Sequence, residues 1–152
     1  MISQRNTFQS ILIIGAKIII NVVACVLKKN KKILISSRPS NKEMPGFFEF
    51  PGGKVKKDEF IIEALRREIF EELNIKIYLR KVLFLKSFIK QQKKRKIKLL
   101  FFECDTWIGK IRNNENQEIR WIFPNEIDNF NMLKSNQEFV KYFISYYSSI
   151  QK

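Results

Sequence analysis

Apolar residues fall in runs along this chain, and the spacing within each run separates strands from helices. Ile18–Leu27 and Lys32–Ser37 are apolar stretches joined by the polar Lys28–Lys31, a pattern that predicts a β-hairpin. Pro39–Pro45 is polar and turn-like, and Pro51-Gly52-Gly53 predicts a loop with unusual backbone angles. From Phe60 to Leu73 the period changes. Ile62, Leu65, Ile69 and Leu73 recur at intervals of three and four, which places them on one stripe of a helix. Asn74 stands where a left-handed C-cap residue is expected. Further strands are predicted at Lys81–Ile89, Ile97–Trp107 and Ile119–Phe123. Ser135, with Glu138 three residues on, announces a last helix in a capping-box pattern. Phe139, Val140, Phe143, Ile144 and Tyr147 supply its buried face. No repeat or linker divides the chain. Several strands and two well-separated helices predict one α/β domain, residues 17–152, whose sheet carries helices on its faces, preceded by an N-terminal extension, residues 1–16.

Composition narrows the function. A chain of 152 residues with 45% hydrophobic and 29% charged residues is a globular domain able to bury a substantial core. The formal charge of +14 favours anionic partners such as nucleotides, nucleic acid or a membrane surface. The joint richness in Lys, Ile, Asn and Phe is equally well explained by an AT-rich genome, so charge alone does not choose a partner. There is no histidine, which excludes Ser-His-Asp and Cys-His catalysis and any histidine-bound metal. Cys25 and Cys104 lie in apolar, strand-like contexts and are expected as buried free thiols in a reducing cytoplasm. Ser10–Leu27 is apolar but interrupted by Lys17 and Asn21 and followed by Lys28-Lys29, whereas a membrane span needs about 20 apolar residues. Ile18–Leu27 is therefore expected as a core strand and no membrane partner is expected, with a membrane anchor as the alternative.

The candidate chemistry lies between Gly53 and Ile75. At about 100° per residue, Glu68, Glu71 and Glu72 fall within roughly a third of the helix circumference. Like charges so spaced repel by about 0.2–0.5 kcal/mol per pair. One reading is a solvated acidic face. The other is a site for a hard cation such as Mg²⁺, which takes carboxylate oxygens and keeps substrate phosphates among its ligands. A neighbouring Gly-Gly loop in a basic protein favours the cation. The basic stretch Lys93–Lys96, with Lys90 and Lys98 nearby, predicts a hairpin tip. It is either a solvated turn or a recruiter of nucleotide phosphate or RNA, with Arg95 as the residue to test.

These residues resemble the Nudix box: Gly, five residues, Glu, seven residues, Arg-Glu, an aliphatic, any residue, Glu-Glu, any residue, Gly, an aliphatic. Gly53, Glu59, Arg67, Glu68, Ile69, Glu71, Glu72 and Ile75 comply, and Asn74 replaces the usual Gly. Beyond the box, Phe48–Lys54 is similar to the Glu-Phe-Pro-Gly-Gly-Lys run of the MutT type, whose members hydrolyse 8-oxo-dGTP. Arg38, Glu115 (followed by Gln117 and Trp121) and Asn136 resemble that type's arginine near the nucleotide, its downstream metal-binding carboxylate and its purine-reading residue. The likeness spans about residues 18–144.

The resemblance implies an α/β/α sandwich with a mixed, curved β-sheet and two main helices. It implies Mg²⁺, with Mn²⁺ as a substitute, held by the Gly52 carbonyl, Glu68, Glu72 and Glu115, with Glu71 as a secondary ligand. Catalytic roles fall to Glu68, Glu71, Arg67 and Glu115, with Glu68 the first choice and Glu115 the second for taking the proton. Arg67 and Glu59 read as a pair that orients the helix and loop, with a plain surface charge as the alternative for Arg67. Substrate contacts fall to Arg38, Glu49, Phe50, Arg95 and Asn136, although Arg38 also reads as a surface residue and Asn136 as first-turn helix polarity. The implied reaction is attack on the β-phosphorus of 8-oxo-dGTP, giving 8-oxo-dGMP and pyrophosphate, by a cytoplasmic monomer without a stable nucleic-acid partner. Other diphosphate substrates (an RNA 5′ end, a dinucleoside polyphosphate or ADP-ribose) and a non-catalytic binding module remain alternatives.

Overall fold

The structure, a computed structural model, describes residues 18–150. The proposed extension, residues 1–16, and the start of the apolar Ser10–Leu27 run lie outside the described residues. Strands β1 (Ile19–Lys29) and β2 (Lys32–Ser37) form the expected hairpin. Its turn is Asn30-Lys31, both with positive φ (52° and 63°), the combination whose twist matches two antiparallel strands.

After β2 come β3 (Phe48–Glu49), β4 (Gly52–Lys54), helix α1 (Ile61–Leu73) and β5 (Lys76–Ile77). Then follow β6 (Leu83–Gln92), β7 (Arg95–Cys104), β8 (Trp107–Ile108), β9 (Ile119–Ile122) and helix α2 (Gln137–Ile150). The main sheet is mixed. β1 runs parallel to β7 from Ile19 to Leu27, and the other pairings are antiparallel. β1 meets β4 through Val22–Ala24 and β2 through Lys28-Lys29, so the β4 loop is seated at the first half of the central strand.

Alternation along β1 builds two cores. Val23, Cys25 and Leu27 face α1, where Leu65, Ile69 and Leu73 cover them. Ala24 and Val26 face α2, where Phe139, Val140 and Phe143 do so. One helix on each face of the sheet is the expected α/β/α sandwich. Each large apolar side chain buried this way contributes about 1.5–3 kcal/mol. Cys25 and Cys104 are buried free thiols, and burial raises the pKa of both. No helix among the described residues is long and apolar enough to cross a membrane.

Two local expectations change. β6 extends past Ile89 to Gln92, because the hairpin tip needs only Lys93-Lys94 and the polar Lys90–Gln92 still pair with β7. The last helix has no capping box at Ser135. A 3₁₀ turn, Lys134–Asn136, leads into α2. Ser135 Oγ accepts a hydrogen bond from Asn136 Nδ2 at 3.3 Å, and Glu138 turns away to pair with Lys90 on β6.

Candidate active site

Gly52 and Gly53 bring backbone where no side chain fits. A Cβ on Gly52 would lie 1.9 Å from the Val23 carbonyl oxygen and 2.8 Å from Ala24 Cα. A Cβ on Gly53 would meet the Glu68 carboxyl carbon at 2.4 Å and both its oxygens at 2.5 Å. The Glu68 carboxylate therefore lies directly over the Gly53 backbone, which ties α1 to β4.

Arg67 fixes that arrangement from the other side. Its Nε and Nη2 donate to the two Glu59 oxygens at 2.7 and 3.0 Å, a fork-on-fork pair. Nη2 also donates to the Lys54 carbonyl at 3.0 Å, and Nη1 to Glu68 Oε1 at 2.8 Å and Glu71 Oε2 at 3.2 Å. One guanidinium thus joins the loop before the helix to two of its glutamates. The Arg67 hydrogen bonds hold the Glu59 carboxyl at about 2, well below its ordinary 4.5, with help from the Lys56 N–H. The same contact raises Arg67. At the far end of α1, Asn74 takes the left-handed conformation (φ 60°, ψ 27°) and its N–H donates to the Phe70 carbonyl, the geometry a glycine usually supplies.

Glu72 is buried, at 7% exposure. Burial pushes its carboxyl well above the ordinary value, and the nearby charges of Glu115, Glu49 and Glu68 add to the shift. Glu115 is positioned by hydrogen bonds that carry no sequence signature. Gln117 Nε2 donates to the Glu72 carbonyl at 3.2 Å, while its Oε1 accepts from the Glu115 N–H at 3.0 Å. Asn114 Nδ2 donates to the Glu71 carbonyl at 3.0 Å. Burial likewise raises the Glu49 carboxyl, although Arg38 pairs with it at 3.2 Å and opposes the shift.

A cleft of about 1150 Å³ opens beside these groups, and Arg38, Glu49, Phe50, Gly52, Glu68 and Asn136 all line it. The Phe50 ring is 3% exposed and packs edge-on against Phe101, Phe139 and Phe143, so this residue offers the cleft mainly its backbone. The Phe50 N–H donates to Asn136 Oδ1 at 3.4 Å. Glu71, Glu72 and Glu115 do not line the cleft: Glu72 and Glu115 lie within electrostatic reach of Glu49, and Glu71 is half exposed and paired with Arg67. Arg67 lies on the outer side of α1, in a smaller groove with Glu59, Phe70 and Tyr78. Arg95 pairs with Gln92 at the hairpin tip and does not line the cleft, which instead receives Lys90 from the same hairpin. The pattern of the basic run could not show this, because strand pairing decides which lysine turns inward. Lys42, Lys134 and Lys141 also line the cleft and were not singled out by the sequence.

The donor set suits a hard divalent cation. It is all oxygen in a chain without histidine, Glu68 lies against the Gly-Gly backbone, and a cation would offset the burial and the carboxylate repulsion that together raise Glu72. As they stand, no three acidic or thiol side chains among the described residues enclose a metal position. Glu68 is engaged by Arg67 and Glu115 by Lys42 at 3.5 Å, so both carboxylates would turn to ligate.

Comparison with known proteins agrees with this geometry. The NUDIX domain model matches residues 17–143. The 8-oxo-dGTP diphosphatase of Buchnera aphidicola subsp. Schizaphis graminum is 37% identical over 122 residues, 79% of this chain and 89% of the relative. The CTP pyrophosphohydrolase of Escherichia coli is 34% identical over 107 residues, 70% of this chain and 78% of the relative. The solution structure of the E. coli ORF135 protein matches with a TM-score of 0.79 at 29% identity, covering 89% of this chain and 95% of that one. A structure from work on MutT of Aliivibrio salmonicida and Vibrio cholerae matches with a TM-score of 0.72 at 27% identity, covering 84% and 98%. With the box residues gathered around Gly53 and a family match along most of its length, the chain belongs to the Nudix family, as a hydrolase of the MutT type.

Proposed function

We propose that the chain is a Mg²⁺-dependent nucleoside triphosphate pyrophosphohydrolase that converts 8-oxo-dGTP to 8-oxo-dGMP and pyrophosphate, clearing an oxidised nucleotide from the cytoplasmic pool. The observation that carries this reading is the Glu68 carboxylate laid over the Gly53 backbone at the edge of the cleft. The named relative from Buchnera aphidicola supports the choice of substrate.

Glu68, Glu72, Glu115 and the Gly52 carbonyl would hold the cation, with Glu71 behind them and Mn²⁺ as a substitute. When bound, the cation neutralises phosphate charge and acidifies a water. The rest of the work is positioning. Arg38 opposite Glu49 meets the anionic substrate. Arg67 ties α1 to the loop before it through Glu59 and the Lys54 carbonyl, and Glu68 takes the proton of the attacking water, with Glu115 as the second candidate for that role. Asn136 spends Oδ1 on Phe50 and one Nδ2 proton on Ser135, which leaves its second amide proton for the edge of the base.

The test is a substrate panel with purified protein and Mg²⁺. The expected kcat/KM for 8-oxo-dGTP exceeds that for dGTP and CTP by about a hundredfold or more. The E. coli relative named as a CTP pyrophosphohydrolase favours a second reading, in which CTP is the better substrate. A CTP preference would replace the purine assignment and keep the reaction. Glu68→Gln should lose about a thousandfold in kcat with its fold intact, and unchanged hydrolysis would remove Glu68 from the chemistry.

A further inference from the structure

The loop between β2 and β3 touches one of the proposed cation ligands through a single side chain. Its base is closed by two backbone hydrogen bonds, Arg38 N–H to the Phe47 carbonyl at 2.8 Å and Gly46 N–H to the Arg38 carbonyl at 3.1 Å. Its tip, residues 40–46, is exposed throughout, so no buried side chain seats it. The backbone bonds of the tip stay local. The Lys42 N–H donates to the Pro39 carbonyl at 3.1 Å, and the Glu43 carbonyl accepts from Arg38 Nε at 2.6 Å.

The Lys42 side chain is the exception. Its Nζ donates to Glu115 Oε2 at 3.5 Å, across 73 residues of sequence. Among the described residues it is the one lysine paired with a carboxylate of the proposed cation set. Lys42 also stands at a border: it lines the cleft with Arg38 and the Gly52-Gly53 backbone, whereas Glu115 does not. Its charge reaches Glu49 and Glu72 as well, where it opposes the rise of both carboxyl pKa values.

A divalent ion at Glu115 and an ammonium on the same carboxylate repel each other. The ammonium is the weaker competitor, because an exposed ion pair holds it loosely. Its flexible four-carbon stem lets the charge move without the backbone. The anion within the cleft is the nucleotide's polyphosphate chain, whose negative charge exceeds what one divalent ion neutralises.

We propose that Lys42 and the divalent cation compete for Glu115, and that the displaced Lys42 becomes a phosphate-binding residue for the nucleotide. This inference rests on the reading of Glu115 as a cation ligand and of the cleft as a nucleoside polyphosphate site. It makes the loop tip the link between the two, since cation binding frees the side chain that then grips the phosphates. By linkage the nucleotide tightens cation binding through the same exchange.

A double-mutant cycle read by calorimetry on the full chain tests it, with Mn²⁺ alone as the first probe. Lys42→Met keeps the apolar stem and removes the charge. It should bind Mn²⁺ about threefold more tightly than the wild type, the worth of one exposed pair. Glu115→Gln should bind Mn²⁺ more weakly, and Lys42→Met added to it should change nothing further. The second probe is the α,β-methylene analogue of dGTP, which resists cleavage, in saturating Mn²⁺. Lys42→Met should bind it about threefold more weakly, and Lys42→Arg should bind it as the wild type does. Melting curves give the folding control at this exposed position.

Unchanged Mn²⁺ affinity in Lys42→Met overturns the proposal. So does an equal gain in the Glu115→Gln background, since the lysine would then act only through the general field of the cleft. Unchanged affinity for the analogue also overturns it, because the displaced ammonium would have met no phosphate. If Glu115→Gln binds Mn²⁺ as tightly as the wild type, Glu115 is no ligand, and the proposal falls with that assignment. If Glu115→Gln loses Mn²⁺ while Lys42→Met is silent, the ligand assignment stands and the exchange alone fails.

Discussion

The two helices that cover the sheet are held by different physics. α1 buries its apolar stripe on the sheet and is in addition fixed by directional contacts: the Glu68 carboxylate over Gly53, the Arg67 fork on Glu59 and Lys54, the Asn74 cap, and Gln117 on the Glu72 carbonyl. α2 is fixed mainly by aromatic packing. Phe139 stacks on Phe101 at 3.8 Å with rings 1° from parallel, and Phe143 and Phe50 pack around it. Its polar ties are few: Glu138 with Lys90, and Tyr142 OH donating to the Leu85 carbonyl at 3.4 Å. Directional bonds set atoms in place, whereas apolar contacts supply stability and tolerate small shifts. Three of the carboxylates proposed for the chemistry, Glu68, Glu71 and Glu72, are on the helix set by directional bonds, and α2, held mainly by packing, lines the other side of the cleft.

That contrast can be broken by substitutions on either side. Phe139→Ala removes the centre of the α2 core and should cost about 3–5 kcal/mol of stability in a denaturant titration. The fraction still folded should keep most of its kcat. A loss of kcat as large as the loss of stability would mean that α2 places the reacting groups. Gly53→Ala should behave oppositely. The added methyl displaces the Glu68 carboxylate, and a shift of about 1 Å at the reacting groups costs about a hundredfold in rate, with a smaller change in melting temperature. Near-normal activity in Gly53→Ala would show that the close approach to Glu68 is not needed.

Glu59→Gln sharpens the comparison through pH. The folded Glu59 pKa of about 2 lies below the ordinary 4.5, so its pairing with Arg67 stabilises the fold fully above 4.5 and loses that effect as pH falls toward 2. The melting temperatures of wild type and Glu59→Gln should differ at neutral pH and converge across that window. A gap that stays constant from pH 5 to about 2 would contradict the depressed pKa. The smallest effect is expected from Asn74→Gly, which keeps the left-handed cap and should change stability by no more than about 1 kcal/mol.

The same difference explains how much was legible in the sequence. In α1 each box residue has a geometric duty that few residue types perform, so the order of Gly53, Glu59, Arg67 and Glu68 carries the arrangement. Asn74 was readable for the same reason, since few residues adopt its φ. The Asn114 and Gln117 bonds to α1 were not readable, because a side chain that meets a carbonyl forty residues away leaves no local pattern. At α2 the apolar stripe foretold the helix, but Ser135 and Glu138 imitated a capping box. The 3₁₀ turn and the Lys90 pair draw them elsewhere. The lysines of the cleft looked like ordinary surface residues, and only strand register separates the inward Lys90 from Arg95 at the hairpin tip.

The most direct test of the central claim is product analysis of 8-oxo-dGTP incubated with the purified chain and Mg²⁺, by anion-exchange chromatography. The predicted products are 8-oxo-dGMP and pyrophosphate in equal amounts, with none formed when the cation is chelated. Release of 8-oxo-dGDP and orthophosphate, or no turnover with the metal present, would contradict the account.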